Sequence, residues 1–208
     1  MEPVKLVVVS AGLGQPSSTR MLADRLAEAA TRHVENAAQA RPVEADIIEL
    51  RGLASDIANN MVTGFPGSAL REALQSVSEA DGLIAVTPVF TASYSGLFKS
   101  FFDVLETDAL NGKPVLMAAT GGTARHSLTL EHAMRPLFAY LRAVTVPTAV
   151  FAASGDWGGG DAGTDDLASR IGRAAGELGE LLLGRPNRRT AAEELVPFEE
   201  QLAALRSG

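Results

Sequence analysis

Hydroxyl side chains are concentrated in the loop that follows the first apolar stretch of the chain, in the segment "VVVSAGLGQPSSTR" over residues 7–20. The loop starts at Ser10, carries Ser17, Ser18 and Thr19 near its end, and leads into a helix at Arg20. The N–H groups and the dipole at the N-terminus of a helix attract anions, and hydroxyls and a guanidinium add hydrogen-bond donors. These residue types in this order favour a phosphate-binding loop.

A simpler interpretation fits the same residues, because Ser18 or Thr19 would also make an ordinary N-cap for the helix. The sequence argues against two other kinds of phosphate loop. The loop has no Lys, which the Walker A pattern requires, and "GLGQPS" has Ser17 where the dinucleotide-binding fingerprint has its third glycine. The phosphate and N-cap interpretations both stay open at this point.

A second loop follows a later apolar stretch, in "VTPVFTASYSGLFK" over residues 86–99. Pro88 fixes the backbone where the strand ends, and the chain continues through Val89, Phe90 and Thr91. Backbone N–H and C=O groups in this segment can reach the edge of a ring, and Phe90 offers a flat apolar surface. The alternative is a plain strand-to-helix loop with a buried aromatic side chain.

A third loop, "ATGGTARHSL" over residues 119–128, contains two consecutive glycines. Gly121 and Gly122 let the backbone approach a ligand closely, and Thr120 adds a hydroxyl group. His126 lies just before the next predicted helix, where a histidine is also common as a capping or packing residue. The third loop is therefore also a candidate for a wall of a binding site.

The elements that position these loops alternate between strands and helices. Apolar runs predict strands over residues 4–10, 42–50, 80–88, 113–120 and 144–152. Helical spacing predicts helices over residues 19–38, 68–79, 95–106, 127–142 and 165–183, and residues 51–67 are predicted to form a surface loop or lid.

This alternation favours an α/β fold with a doubly wound, flavodoxin-like five-stranded parallel sheet and helices on both faces. In an open parallel sheet, ligands bind beyond the carboxyl ends of the strands, where the strand order reverses. The loops after strands one, three and four would then face one crevice, and flavodoxins hold FMN in such a crevice. The convergence of three loops is a stronger indication than any one of them.

The composition excludes several other functions. The chain has 208 residues, of which 46% are hydrophobic and 21% charged, and its net charge of −7 argues against a nucleic-acid surface. It has no cysteine and three histidines, so we expect no disulfide, no cysteine nucleophile and no metal site. Since no apolar run reaches the ~18–20 residues of a membrane helix and no signal peptide is recognisable, we expect a cytoplasmic protein.

Three blocks of the sequence resemble the NADPH-dependent FMN reductase family. These blocks are "VVVSAGLGQPSSTRMLADRLA" (7–27), "VTPVFTASYSGLFKSFFD" (86–103) and "ATGGTARHSLTLEHAMRPLFAYLRA" (119–143). The last block is the most specific, because it combines a two-glycine loop, a histidine and a helix interrupted by Pro136. The chain is especially similar to the flavin reductases that supply reduced flavin to two-component and luciferase-like monooxygenases.

The resemblance implies FMN and NADPH or NADH as cofactors, with hydride transfer from the nicotinamide C4 to the flavin N5. It implies a phosphate loop at Ser10, Ser17, Ser18, Thr19 and Arg20. It also implies ring contacts at Pro88, Val89, Phe90 and Thr91, a third flavin loop at Thr120, Gly121 and Gly122, and a recurrent family position at His126. The family often has Tyr where Phe90 stands, so a hydroxyl contact from that position is absent here. We expect no catalytic acid or base, because the cofactors carry the chemistry.

The resemblance further implies a homodimer or homotetramer, and a flavin-dependent monooxygenase as a partner. Two adjacent phenylalanines, Phe101 and Phe102, also favour an oligomer, since only one of them is expected to face its own sheet. The predicted domain is 1–185, followed by a tail over 186–208 with a short amphipathic helix.

Other functions stay open on the sequence. They are a flavodoxin-like electron carrier or FMN-binding module, a quinone or azo-dye reductase with tightly bound FMN, and a phosphosugar-binding domain.

Overall fold

The computed structural model describes residues 2–37, 40–157 and 161–184, and for residues 161–165 it describes the backbone alone. Its parallel strands are β1 (Val4–Ser10), β2 (Val43–Glu49), β3 (Gly82–Phe90), β5 (Pro114–Gly121), β6 (Val144–Thr145) and β7 (Val150–Ala153). A further short strand, β4 (Ser93–Tyr94), runs antiparallel to the end of β3. β1, β3 and β5 are almost wholly buried, as their continuous apolar sequences predict.

The strand order is β2-β1-β3-β5-β6, with β7 also paired to β5. The predicted flavodoxin-like parallel sheet is thereby confirmed, but the predicted strand over residues 144–152 is divided into β6 and β7. Pro147 lies in the interruption, where it has no N–H group to donate to the sheet. Together with β4, this division gives seven strands in the described part of the chain instead of the five expected.

Helices cover both faces of the sheet. They are α1 (Ser18–Glu35), α2 (Ala54–Thr63), α3 (Ser68–Glu79), α4 (Gly96–Asp103), α5 (Arg135–Tyr140) and α6 (Asp161–Leu183). α1 and α6 pack on one face around Leu22, Leu26 and Leu178, and the other four helices pack on the opposite face. Full burial of a leucine side chain contributes roughly 1.5–3 kcal/mol, so these two layers fix the positions of the loops between them.

The segment over residues 51–67 is not the loop that the sequence predicts. A 3₁₀ turn at Leu50–Leu53 leads into α2, which ends at Gly64 in the left-handed conformation with φ of 76°. Ile57, on the inner face of α2, is buried, whereas Val62 and Phe65 are 87% and 81% exposed. The exposed apolar residues hid the helical pattern, because they do not fall on its buried face.

The predicted helix over residues 127–142 is also divided. A 3₁₀ turn at Ala124–His126 and a π-helical turn at Leu130–Met134 precede α5. Pro136 lies in the first turn of α5, directly after the π-helical turn, and it has no N–H group to donate. The kink expected at Pro136 is therefore a change from π-helix to α-helix.

The expectation that Phe101 or Phe102 would face outward is wrong. Both side chains are buried, with exposed fractions of 0% and 2%. The ring of Phe102 packs 4.7 Å from Phe98 and 5.1 Å from Phe138, centroid to centroid. Because α5 lies beside α4, both faces of this short helix have apolar neighbours, and α4 gives no argument for an oligomer. The predicted tail over 186–208 and its helix lie outside the described residues.

The contact between α1 and α6 depends on a glycine, which gives a first test of the fold. A Cβ atom at Gly179 would lie 2.3 Å from Cδ2 of His33, whereas one at Gly172 on the same helix would meet open space. We expect Gly179→Ala to lower the free energy of unfolding by about 1–3 kcal/mol, because it overpacks the contact. Gly172→Ala should raise it by roughly 0.8–1.0 kcal/mol through helix propensity.

Urea unfolding of both variants measures the difference. Since both gain the same helix propensity, the gap between them isolates the contact with His33. Adding His33→Ala to the Gly179→Ala variant should recover most of the loss. Equal stabilities of the two single variants would contradict the close packing of α1 on α6.

Candidate functional site

A cavity of about 560 Å³ opens at the carboxyl ends of β1, β3 and β5. This place is where the strand order reverses between β1 and β3, the position at which open α/β sheets bind ligands. The cavity is lined by Leu13, Gly14, Pro16, Ser17, Ser18, Thr19, Met21, Pro88, Val89, Phe90, Thr120, Gly121, Gly122, Ser154 and Trp157. All three predicted loops therefore contribute to one wall or another of a single cavity, whose volume suits a nucleotide-sized ligand.

The first wall is the start of α1. Ser17, rather than Ser18 or Thr19, is the N-cap, and its Oγ accepts a hydrogen bond of 3.2 Å from the N–H of Arg20. The first two N–H groups of α1, those of Ser18 and Thr19, have no carbonyl partner within the helix, so they are available to an anion. Thr19 is buried, and its hydroxyl lies 2.8 Å from that of Thr120, which joins the first wall to the end of β5.

The guanidinium of Arg20 does not line the cavity. Its Nε donates to Asp24 at 2.8 Å, and its Nη1 lies 3.5 Å from Glu49. The hydrogen bond to Asp24 is the main reason why the pKa of Arg20 is raised above its ordinary value. Because Arg20 is paired with two carboxylates, the donors that remain for a phosphate in this wall are neutral hydroxyl and N–H groups.

The second wall is a tight hairpin rather than a loop. β3 continues through Phe90, turns at Thr91 and Ala92, which have φ of 50° and 68°, and returns as β4. Positive φ at both central residues is typical of two-residue hairpins, but Asn and Gly are the residues that usually adopt it. Phe90 is 47% exposed at the cavity, so its ring is open to a ligand.

The third wall is the end of β5. A Cβ atom at Gly121 would lie 2.8 Å from Cζ of Phe151, so this position needs glycine for packing against β7. At Gly122 a Cβ atom would meet no neighbour within 4 Å, which leaves its backbone open to the cavity.

Four of the residues expected at the site are not in its walls. Ser10 is 1% exposed at the end of β1, and Arg20 is held in its ion pairs. Thr91 is exposed on the hairpin between β3 and β4, and His126 is exposed on the 3₁₀ turn Ala124–His126.

Six residues of the cavity wall were not among the predicted site residues: Leu13, Gly14, Pro16, Met21, Ser154 and Trp157. Trp157 is the only tryptophan of the chain. It follows β7, which lies next to β5, and its ring centroid is 5.0 Å from Cζ of Arg25. Only the strand order brings it to the cavity, because it is distant in sequence from the three loops.

A smaller cavity of about 340 Å³ lies between β2 and α3. Glu44, Asp46 and Glu72 line it, and such carboxylates would repel a phosphate. Within the described residues, no group of three or more His, Asp or Glu side chains is arranged to hold a metal ion. The helices of the described segments include none long and apolar enough to cross a membrane.

A parallel sheet in flavodoxin order, with a hydroxyl-lined cavity at the reversal of its strands, defines a flavodoxin-like nucleotide-binding protein. Residues 4–158 match the family model of the NADPH-dependent FMN reductases. The chain belongs to this family, and it is an oxidoreductase that uses FMN and a nicotinamide dinucleotide.

Individual relatives agree with this assignment over most of their length. An FMN reductase (NADPH) of Pseudomonas aeruginosa is 36% identical over 183 residues, which cover 88% of this chain and 95% of the relative. An NADH-dependent FMN reductase of Pseudomonas fluorescens is 36% identical over 182 residues, covering 88% and 93%. The solved structure of an oxidoreductase from Corynebacterium diphtheriae is 48% identical, covers 89% of this chain and 100% of its own, and superposes with a TM-score of 0.85.

The shape of the first wall gives a test of the site. A Cβ atom at Gly12 would lie 2.1 Å from Oγ of Ser17 and 3.0 Å from Cβ of Thr19, so Gly12→Ala displaces the N-cap. We expect this variant to bind FMN about tenfold more weakly, equivalent to about 1.4 kcal/mol, because the displaced Ser17 moves its hydroxyl and the first N–H groups of α1 away from the expected position of the phosphate. Titration of flavin fluorescence measures the affinity.

Gly52→Ala is the matched control, because a Cβ atom there would meet nothing within 4 Å and the residue is outside the cavity wall. Its FMN affinity should equal that of the unchanged protein. If Gly12→Ala also kept that affinity, the start of α1 would not be the phosphate site.

Proposed function

We propose that the cavity binds FMN with its phosphate at the start of α1 and its ring between the β3 hairpin and the end of β5. The observation that carries this proposal is the convergence of a helix N-terminus, an open aromatic ring and two glycines on one cavity. Ser17, Ser18 and Thr19 would hold the phosphate, and Pro88, Val89, Phe90, Thr120, Gly121 and Gly122 would border the ring. We propose no direct contact for Ser10, Arg20, Thr91 or His126.

FMN, when bound, supplies an electron-accepting N5 that takes a hydride from the C4 of NADPH or NADH. The chain itself contributes position. Among the described residues that line the cavity, none carries a side chain that ionises near neutral pH. The proposed reaction needs no proton transfer to a side chain, so proximity and ring alignment are what the walls have to provide.

Rapid-mixing absorbance at 450 nm tests this function. With FMN and NADPH or NADH under anaerobic conditions, we expect fast bleaching whose rate constant does not change between about pH 6 and pH 8. In air, the turnover of flavin should exceed the protein concentration. Binding should also quench the fluorescence of Trp157, and Trp157→Phe should lose this signal.

Three results would contradict the proposal. Flavin that binds but stays oxidised would indicate an electron carrier or a flavin-binding module. Absence of flavin binding would remove the assignment of the cavity. A bell-shaped pH profile would show that a titrating group takes part in the reaction.

We further propose that FMN is exchanged as a substrate and that reduced flavin is passed to a flavin-dependent monooxygenase. The neutral phosphate wall supports exchange, because Arg20 is already paired with Asp24 and Glu49. A quinone or azo-dye reductase would instead keep its FMN tightly bound. Gel filtration of the FMN complex separates these alternatives, since an exchangeable flavin is lost on the column. A cytoplasmic setting stays a prediction from the sequence.

A homodimer or homotetramer is also proposed, with its support on a different surface from the one that the sequence indicated. Met61 and Val62 in the last turn of α2 and Phe65 just after it are 54%, 87% and 81% exposed, so three large apolar side chains are exposed within five residues. We expect Phe65→Asp to lower the mass measured by analytical ultracentrifugation to that of a smaller assembly. Tyr140→Asp changes an equally exposed ring on α5 and should leave the mass unchanged.

A smaller mass for Tyr140→Asp alone would place the interface on α5. A monomeric unchanged protein would contradict the oligomer altogether.

A further inference from the structure

The first loop is held from outside the cavity by an arginine that does not belong to the cavity wall. Arg51 follows β2, in the 3₁₀ turn Leu50–Leu53, and its Nη1 donates to the carbonyl oxygen of Gly14 at 3.4 Å. With the side-chain amide of Gln15 oriented so that its oxygen faces Arg51, that oxygen lies 2.7 Å from Nη1 and 2.6 Å from Nη2. One guanidinium therefore holds two consecutive residues of the loop.

The held residues lead directly into the phosphate wall. Gly14 itself lines the cavity, as do Pro16 and Ser17, the N-cap of α1. A displacement of the loop at Gly14 and Gln15 would thus move the hydroxyl of Ser17 relative to the N–H groups of the helix.

Glu49 fixes the arginine in this position. Its carboxylate lies 3.3 Å from Nη2 of Arg51 and 3.5 Å from Nη1 of Arg20, so it joins the end of β2 to the loop and to the first turn of α1. The side chains of Glu49, Arg51 and Arg20 are only 31%, 27% and 35% exposed. Partial burial weakens the screening by salt that makes fully exposed ion pairs ineffective.

We propose that Arg51 is a positioning residue for the flavin phosphate, which acts by holding the first loop in its binding conformation before FMN arrives. This inference rests on the proposed function, because it needs the phosphate at the start of α1. Preorganisation removes the cost of ordering the loop during binding, so it is expressed as affinity. The planar fork of a guanidinium can hold two acceptors at once, which the single ammonium of lysine does not do in the same geometry.

The central experiment compares FMN with riboflavin, which lacks the phosphate. We expect Arg51→Ala to raise the Kd for FMN about tenfold, equivalent to about 1.4 kcal/mol, and to change the Kd for riboflavin less than about twofold. In steady-state assays the KM for FMN should rise while kcat is kept, since the ring contacts lie on other loops. Equal weakening of both flavins, or no weakening of FMN, would overturn the proposal.

Two further variants control for charge and for the loss of any arginine. Arg41→Ala removes a guanidinium that also binds a backbone carbonyl, that of Glu2, before the amino ends of β1 and β2, and it should leave both Kd values unchanged. Arg51→Lys keeps the charge without the fork and should not restore the affinity for FMN. Unchanged affinity in Arg51→Lys would overturn the role of the fork.

Hydrogen–deuterium exchange on the flavin-free protein measures how well the backbone amides of the first loop are protected without any bound cofactor. We expect Arg51→Ala to speed exchange over residues 11–17 and to leave the exchange of β3 unchanged; no change over 11–17 would overturn the proposal. In a double-mutant cycle, Gln15→Ala should add little to the loss of FMN affinity in Arg51→Ala.

The failure of the proposed function and the failure of this inference are distinguishable. If the unchanged protein failed to bind FMN, the proposed function would fail. If it bound FMN and Arg51→Ala did so equally well, only the positioning role would fail.

Discussion

The reversal of strand order between β1 and β3 is the constraint on which the rest of the structure depends. The right-handed connection from β1 leads to β2, and the one from β3 leads in the opposite direction along the sheet to β5. The helices that follow β1 and β3 therefore lie on opposite faces. The carboxyl ends of these two strands therefore have no helix directly above them. The strands are nearly completely buried there, so they fix where the loops begin, and the loops become the walls of the opening.

The electrostatics of the cavity follow from the partners of its arginines. The protein carries a net charge of −7, and the two arginines nearest to the first loop, Arg20 and Arg51, share Glu49. Anion binding is then left to the dipole and N–H groups of α1 and to hydroxyl groups. Such a wall attracts phosphate over a short range only. Because it carries little excess positive charge, it does not make the release of phosphate slow. This arrangement agrees with a flavin that enters and leaves in each cycle.

The parts that could be predicted from the sequence are those where local pattern and tertiary packing agree. The apolar runs of β1, β3 and β5 and the polar loops after them located the cavity, because open parallel sheets bind ligands beyond the carboxyl ends of their strands. The hairpin at Thr91 and Ala92 could not be predicted, since neither residue type favours positive φ. Trp157 could not be assigned to the site without the neighbours of β7, and Arg51 acts through contacts with residues far away in the sequence.

The two ends of the cavity are stabilised by different kinds of interaction, and this difference bears on the proposed exchange of flavin. At the ring end, positive φ at Thr91 and Ala92 costs of order 1–3 kcal/mol for each residue, which the pairing of β3 with β4 has to offset. The buried hydroxyl of Thr87, which accepts from the N–H of Ser95 at 3.0 Å, closes the base of this hairpin. The phosphate end has instead side-chain contacts from partly exposed groups, which open at lower free energy than paired strands. We therefore expect the flavin to leave by opening of the first loop, while Phe90 and its hairpin keep their position between cycles.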